Sequence, residues 1–203
     1  MSSSSITPEE TAIALLERVG IARAKDFEEQ GLLPAHVSTL RERGIIERVG
    51  HGLYRLPGAE LTEHHTLAIA ASKSPSAVVC LLSALRFHDL TTQAAYEVWL
   101  AIARGARTPR LEYPPLTVIR MSETSFAHGV EEHNVEGVRV RVFSATKTVA
   151  DCFKFRSRIG LEVAIEALQD FRASRNGSMD DLWNVAEACR VQRVIRPYME
   201  TLA

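Results

Sequence analysis

Gly20–Pro57 reads GIARAKDFEEQGLLPAHVSTLRERGIIERVGHGLYRLP. Gly20 stops a preceding helix, and a second short helix is expected over about 22–30, with Ala24 and Phe27 inward and Gly31 ending it. Leu32-Leu33-Pro34 turns the chain into a third helix, about 35–43, which Gly44 ends. Ile45–Val49 alternates weakly, as a strand does. His51-Gly52 supplies a tight turn, Leu53–Leu56 returns, and Pro57-Gly58 closes the segment. Short helices followed by a two-stranded hairpin give the outline of a winged helix-turn-helix, which places one helix in a DNA groove and a hairpin beside it.

Upstream, Thr7-Pro8-Glu9-Glu10 is a helix start: threonine caps, proline fits the first turn, and acids suit the positive helix end. Ile13, Leu16 and Val19 are its expected apolar face. Downstream, the pattern predicts a helix over about 60–72, and residues 77–81 fit either a strand or the start of a helix through 83–88. Strands are expected at about 96–103, 116–121, 130–134 and 138–143, with Glu136-Gly137 as a turn. Residues 104–115 read as a loop. From Ser144 on, the signal is helical: about 145–156, 161–172, 179–189 and 191–202. In the second of these, Leu161, Ile165, Leu168 and Phe171 read as core. The expected fold class is α+β: an N-terminal winged helix-turn-helix over 1–58, then a mixed α+β domain over 59–203 with a helical C-terminal part.

The 203 residues are 46% hydrophobic and 24% charged, a globular composition with a formal net charge of −1. A globally basic nucleic-acid coat is therefore excluded, and any DNA contact must come from a local patch. Cys80, Cys152 and Cys189 are odd in number and widely spaced, which reads as buried free thiols in a reducing compartment. The chain has no apolar run of membrane-span length, and MSSSSITPEE lacks the features of a secretory signal. A cytoplasmic location is the expectation.

Two charged constellations stand out. In the third helix Val37 and Leu40 face inward, so Ala35, Ser38, Thr39 and Glu42 form the groove face, flanked by His36 and Arg43. Small hydroxyls and Arg43 suit phosphates or base edges, and a carboxylate can accept from cytosine. Arg48, His51 and Arg55 on the hairpin would reach the flanking backbone. Four arginines against two acids between Gly31 and Pro57 make a modest patch. It favours two copies on an inverted repeat. The second constellation lies in GVRVRVFSATKTVADCFKFRSRIG, residues 137–160, with six cations and one acid. Lys147, Asp151, Lys154 and Arg158 share one helical face, Ser144 is a natural N-cap, and Arg139 and Arg141 alternate on the preceding strand. Such a stripe suits a polyanion or an acidic protein surface; it equally suits a solvated face with a Lys147–Asp151 pair.

The chain carries no P-loop, HExxH, GxSxG or glycine-rich nucleotide fingerprint, so neither an enzyme nor a cofactor is expected. Adjacent His64 and His65 point apart on a helix and make a poor metal pair. His88 is expected to end its helix.

The chain resembles the AbiEi-type antitoxins of bacterial abortive-infection, type IV toxin–antitoxin operons. The resemblance rests on the head ending in GLYRLP, on LSALRFHDLTTQ (82–93), on EVWLAIARGARTPRL (97–111) and on VRVFSATKTVADCFKFRSRIGLEVAIEAL, running to Leu168. It implies a head that binds inverted repeats in its own promoter and represses the operon. It further implies a body that counters a nucleotidyltransferase-like toxin, with the basic stripe as an antitoxicity face. Direct neutralisation of the toxin by that stripe and a solitary winged-helix regulator are the alternatives it leaves open.

Overall fold

The structure, a computed structural model, describes residues 7–93, 96–174 and 177–202. Ser2–Ser5, whose run of small polar residues reads as a frayed tail, lies outside the described residues. Two compact units emerge. The first runs to Pro75 and takes in 109–114 and 133–140; the second comprises 76–108, 115–132 and the chain from Arg141. The division therefore falls later than the expected one after residue 58, and two later segments join the first unit.

In the first unit, α1 (Pro8–Val19) starts at the anticipated capping box: the Glu10 N–H donates to Thr7 Oγ1 at 3.2 Å, and Glu10 Oε2 accepts from the Thr7 N–H at 2.7 Å. Its buried residues are Ala12, Leu15 and Leu16, so the inward face is rotated from the one expected. The next helix is shorter than its pattern suggested. Ala22–Arg23 is strand β1, and only Ala24–Glu29 is helical as α2. The Arg23 N–H is taken by Asp26 Oδ2 at 2.7 Å, which caps α2 and leaves Arg23 extended and paired with Leu53. α3 (Pro34–Glu42) follows, then β2 (Glu47–Gly50) and β3 (Leu53–Arg55). The three strands form an antiparallel sheet in the order β1-β3-β2, and the helices close over Leu16, Phe27, Val37, Leu40 and Ile46. This is a winged helix-turn-helix arrangement with a third, short strand.

The helix expected from about residue 60 begins later, as α4 (His65–Lys73). The Thr62 N–H and hydroxyl both donate to Glu136 Oε1, at 2.7 and 2.9 Å, and His65 Nδ1 lies 2.6 Å from Glu136 Oε2. These bonds hold the preceding segment out of helical geometry. The Glu136-Gly137 turn also meets Gly20. A Cβ added at Gly20, whose φ is +67°, would lie 1.8 Å from the Glu136 carbonyl oxygen, so only glycine fits there.

The second unit holds a five-stranded mixed sheet in the order β6-β5-β4-β8-β7, formed by β4 (Val78–Val79), β5 (Val98–Ala103), β6 (Leu116–Met121), β7 (Val130–Val135) and β8 (Val138–Phe143). The hairpin tip between β7 and β8 counts with the first unit. β5 reads VWLAIA because it is buried on both faces, whereas VRVRVF in β8 alternates buried valines with exposed or half-buried arginines. α5 (Leu81–Phe87) follows β4, so the segment at 77–81 is strand first and helix second; α6 (Glu123–Ala127) had no sequence signal. α7 (Ala145–Lys154), α8 (Arg156–Ile159), α9 (Leu161–Ser174), α10 (Met179–Ala188) and α11 (Gln192–Leu202) complete the chain. The expected helix to 156 breaks at Phe155, which frees the Arg156 guanidinium to cap the Phe153 carbonyl at 2.9 Å. Leu161, expected in the core, is 36% exposed at the start of α9; Leu168 and Phe171 are buried.

The basic stripe changes most. Lys147 and Asp151 are not on a solvated face: both side chains are 0% exposed. α7 is packed against α5, α9, α10 and α11, so no face of its middle turns is left for water. Lys147 Nζ binds Asp151 Oδ2 and lies 4.5 Å above the Phe143 ring. Asp151 Oδ1 has no hydrogen-bond partner among the described residues, and burial pushes this carboxyl above the usual carboxylate range against the pull of Lys147. The three cysteines are buried free thiols, as expected, and burial pushes Cys80 and Cys152 far above the usual thiol range.

Removing one member of the buried pair strands the other charge. Asp151→Ala should cost about 3–5 kcal/mol, and replacing both with Met and Leu should cost much less. Denaturant titration of the single and double variants measures the difference; equal losses would show that the pairing does not matter. A second expectation concerns Glu136. Burial alone would raise its carboxyl, but bonds from His65 and Thr62 overcome that and hold it below the usual range. A depressed folded pKa contributes stability that is full above about pH 4.5 and is lost as pH falls through the folded value. Glu136→Gln should therefore flatten the acid limb of the stability–pH curve, and an unchanged limb would show that this carboxyl is not linked to folding.

Candidate nucleic-acid interface

The anticipated groove helix, α3, starts at Pro34, whose missing N–H costs nothing in a first turn. His36 Nδ1 accepts the Leu33 N–H at 3.2 Å and acts as a cap. Val37 and Leu40 are buried, which leaves Ala35, Thr39 and Glu42 exposed and Ser38 half-buried on the opposite side. Ser38 Oγ donates to Glu42 Oε1 at 3.2 Å, and Thr39 Oγ1 donates to the Ala35 carbonyl at 3.0 Å. The surface is thus small, polar and pre-ordered by bonds within its own helix.

The arginines are distributed differently from the sequence reading. Arg43 caps the end of α3 and pairs with Glu9 of α1 at 2.9 Å, so the best cation for a base or phosphate already neutralises an acid. Arg55 faces Glu47 across the β2–β3 ladder, binds its carboxylate at 2.5 Å, and is only 14% exposed at its side chain. The sequence reading has Arg55 reaching toward a flanking backbone; here its guanidinium is engaged by Glu47 across the strands. Arg48 remains exposed; its Nε donates to the Gly50 carbonyl at 2.9 Å and its Nη2 lies 3.3 Å from His51 Nδ1. The ladder is irregular between Arg48 and Gly50, which turns this end of the wing. Arg41 is exposed and shares a cleft with Ser38.

Two cations that the sequence reading does not assign to the wing lie against it. Lys73, the last residue of α4, donates to the His51 carbonyl at 2.9 Å. His51, Lys73, Arg110, Leu111 and Glu112 line a cleft of about 260 Å³. Lys73 and Arg110 are far from the wing in sequence, and no local pattern could have placed them there.

In the second unit the proposed face is dispersed. Lys154 and Arg158 are exposed, and Lys154 Nζ reaches Ser125 Oγ at 3.4 Å; Arg139 is exposed too but counts with the first unit. Arg141 is half-buried, bonded to the Ser76 carbonyl at 2.8 Å and placed over the Phe126 ring. The loop at 104–108 is held by Arg120, whose guanidinium donates to the Arg104 and Ala106 carbonyls and to Thr108 Oγ1. No cluster of three or more His, Cys, Asp or Glu able to hold a metal occurs among the described residues. No described helix is long and apolar enough to cross a membrane.

Residues 10–57 match the family model described as transcriptional regulator, AbiEi antitoxin. The match covers the N-terminal head, which is similar to that family's domain. That match ends at the wing, so the body motifs resembling the same family lie beyond it. The whole chain is similar in fold to the crystal structure of the RV2827C protein from Mycobacterium tuberculosis, with a TM-score of 0.56 and 11% identity over 95% of this chain and 78% of that one. At that identity the likeness shows the fold alone. No curated protein matches the chain by sequence.

The geometry of the head separates its arginines by role. Arg55→Ala should lower stability by about 1 kcal/mol through lost packing and pairing. Ser38→Ala and Thr39→Ala should stay within about 0.5 kcal/mol of the parent. Thermal melts of the three variants test this, and a neutral Arg55→Ala would show that its cross-strand pair is dispensable.

Proposed function

We propose that this protein is the antitoxin and autorepressor of a type IV, AbiE-like toxin–antitoxin pair. The head reads inverted repeats in its own promoter as two copies. The body counters a cognate nucleotidyltransferase-like toxin, and the protein acts in the cytoplasm by binding, without catalysis. The observation that carries this reading is the match of the head to the AbiEi model, with α3 presenting exposed Ala35, Thr39 and Glu42 and half-buried Ser38 beside an intact wing. The exposed polar side suits base edges, and its small residues permit close approach to a groove.

The head's charge is modest, and Arg23, Arg43 and Arg55 are already paired with acids. One copy should bind weakly and lose affinity steeply with salt; two linked on a palindrome reach useful affinity. The alternative of direct toxin neutralisation by the basic stripe would have to do without Lys147, which is interior with Asp151. Lys154 and Arg158 are exposed cations of the second unit for any contact the body makes.

Purified protein should retard duplex containing its own upstream region more strongly than a scrambled duplex. The Ser38→Ala/Thr39→Ala double variant should lose about tenfold in that preference, roughly 1.4 kcal/mol, while keeping its melting temperature. Co-expression should relieve growth arrest by an adjacent nucleotidyltransferase-like protein. Equal binding to both duplexes would remove promoter recognition from the reading, and unrelieved arrest would remove the antitoxin role.

A further inference from the structure

We infer that Lys73 and Arg110, which lie outside the segment that matches the family model, join Arg48 and His51 of the wing to form a second contact point for the DNA sugar-phosphate backbone. The inference rests on the proposed DNA-binding role of the head and adds a site to it.

The wing needs cations that its own strands do not supply. Arg55 is committed to Glu47 and largely covered, and Arg43 is committed to Glu9. On the strands themselves, Arg48 is the exposed arginine that remains, and it is turned toward the tip by its bonds to the Gly50 carbonyl and the His51 ring. At that tip the fold adds two further positive charges. Lys73 is anchored by its bond to the His51 carbonyl, which fixes the ammonium beside the turn. Arg110 comes from the 109–114 segment, which belongs to the same compact unit, and it lines the same cleft as His51 and Lys73. Glu112 in the lining offsets one of these charges, and Arg48 adds a third cation on the adjoining strand. His51 adds a ring that can donate to an anion.

The cleft has the size and chemistry of a phosphate seat. About 260 Å³ exceeds what one phosphate group occupies, and its lining combines an ammonium, a guanidinium and an imidazole. Arginine offers two parallel donors to phosphate oxygens, and lysine acts as a compact point charge. Because the cleft adjoins the wing tip and not α3, it would meet backbone and not base edges. Its contribution would be alike for every sequence. In this way the head gains affinity without changing what it reads.

The salt dependence of binding tests this. Each phosphate contact adds about 0.9 to the slope of log affinity against log salt. Arg110→Gln should lower that slope by about 0.9 and Lys73→Gln/Arg110→Gln by about 1.8, with the preference for promoter over scrambled duplex unchanged. At physiological salt the double variant should bind both duplexes roughly tenfold more weakly. Lys73→Arg/Arg110→Lys keeps the charges and should keep most of the slope, which separates lost charge from a disturbed wing. Wild-type slopes in both glutamine variants would overturn the inference and leave the promoter-binding reading standing. A double variant that lost promoter preference along with affinity would also overturn it, since the cleft would then be supporting the reading helix. No binding by the wild-type protein to either duplex would overturn both.

Discussion

A lysine and an aspartate, each without solvent exposure, sit at the centre of the second unit, and much of what surrounds them follows from that burial. An isolated charge in such a place would be costly, so Lys147 and Asp151 must be held one helical turn apart and face to face. Helix α7 supplies the spacing, Ser144 fixes where that helix starts, and Phe143 offers its ring to the ammonium. Four helices then pack around α7 while its apolar residues, Val149, Ala150, Cys152 and Phe153, join the main core. The tolerance of this arrangement is small. At Gly129 an added Cβ would approach the Lys147 Cβ to 2.8 Å, so even the loop beside the lysine is constrained by it.

The head follows a different electrostatic logic. Its cations are mostly occupied in holding the fold: Arg23 with Asp26 at the start of α2, Arg43 with Glu9 between helices, and Arg55 with Glu47 across the wing. Each pair fixes an element boundary or a register, and each removes a charge from the surface available to a polyanion. On the proposed reading, a head built this way would recognise DNA by shape and by a few placed hydrogen bonds. That agrees with the small hydroxyl residues on α3 and with the use of paired copies on the proposed reading.

Much of the fold was legible because local chemistry decided it. The Thr7–Glu10 box, the glycine stops, the β6 and β8 boundaries and the Ser144 cap all follow from residues within one or two turns of each other. What escaped is non-local. Residues 22–23 carry a helical pattern, yet pairing with β3 makes them a strand. α4 starts late because a glutamate more than seventy residues away claims Thr62 and His65. The charged face of α7 looked like a solvated helix because periodicity shows which residues share a side and says nothing of what lies opposite. The candidate site divides in the same way: the α3 residues were readable from spacing, whereas the occupation of Arg43 and Arg55 and the arrival of Lys73 and Arg110 at the wing depend on tertiary packing.

Strand β4 has two residues, yet it is the middle of the sheet. Val78 and Val79 pair with Ala101 and Leu100 on one side, and Val79 alone pairs with Val142 on the other. The backbone ladder is therefore almost severed at its centre, with β5 and β6 on one flank and β8 and β7 on the other. Cohesion across that seam comes from side chains: Cys80, Leu85, Phe143, Val149 and Phe153 lie in one continuous cluster that spans it. The sheet behaves less as a single woven layer than as two ribbons glued under a common helical lid. Strand length at either outer edge is thereby free to vary without disturbing the glue.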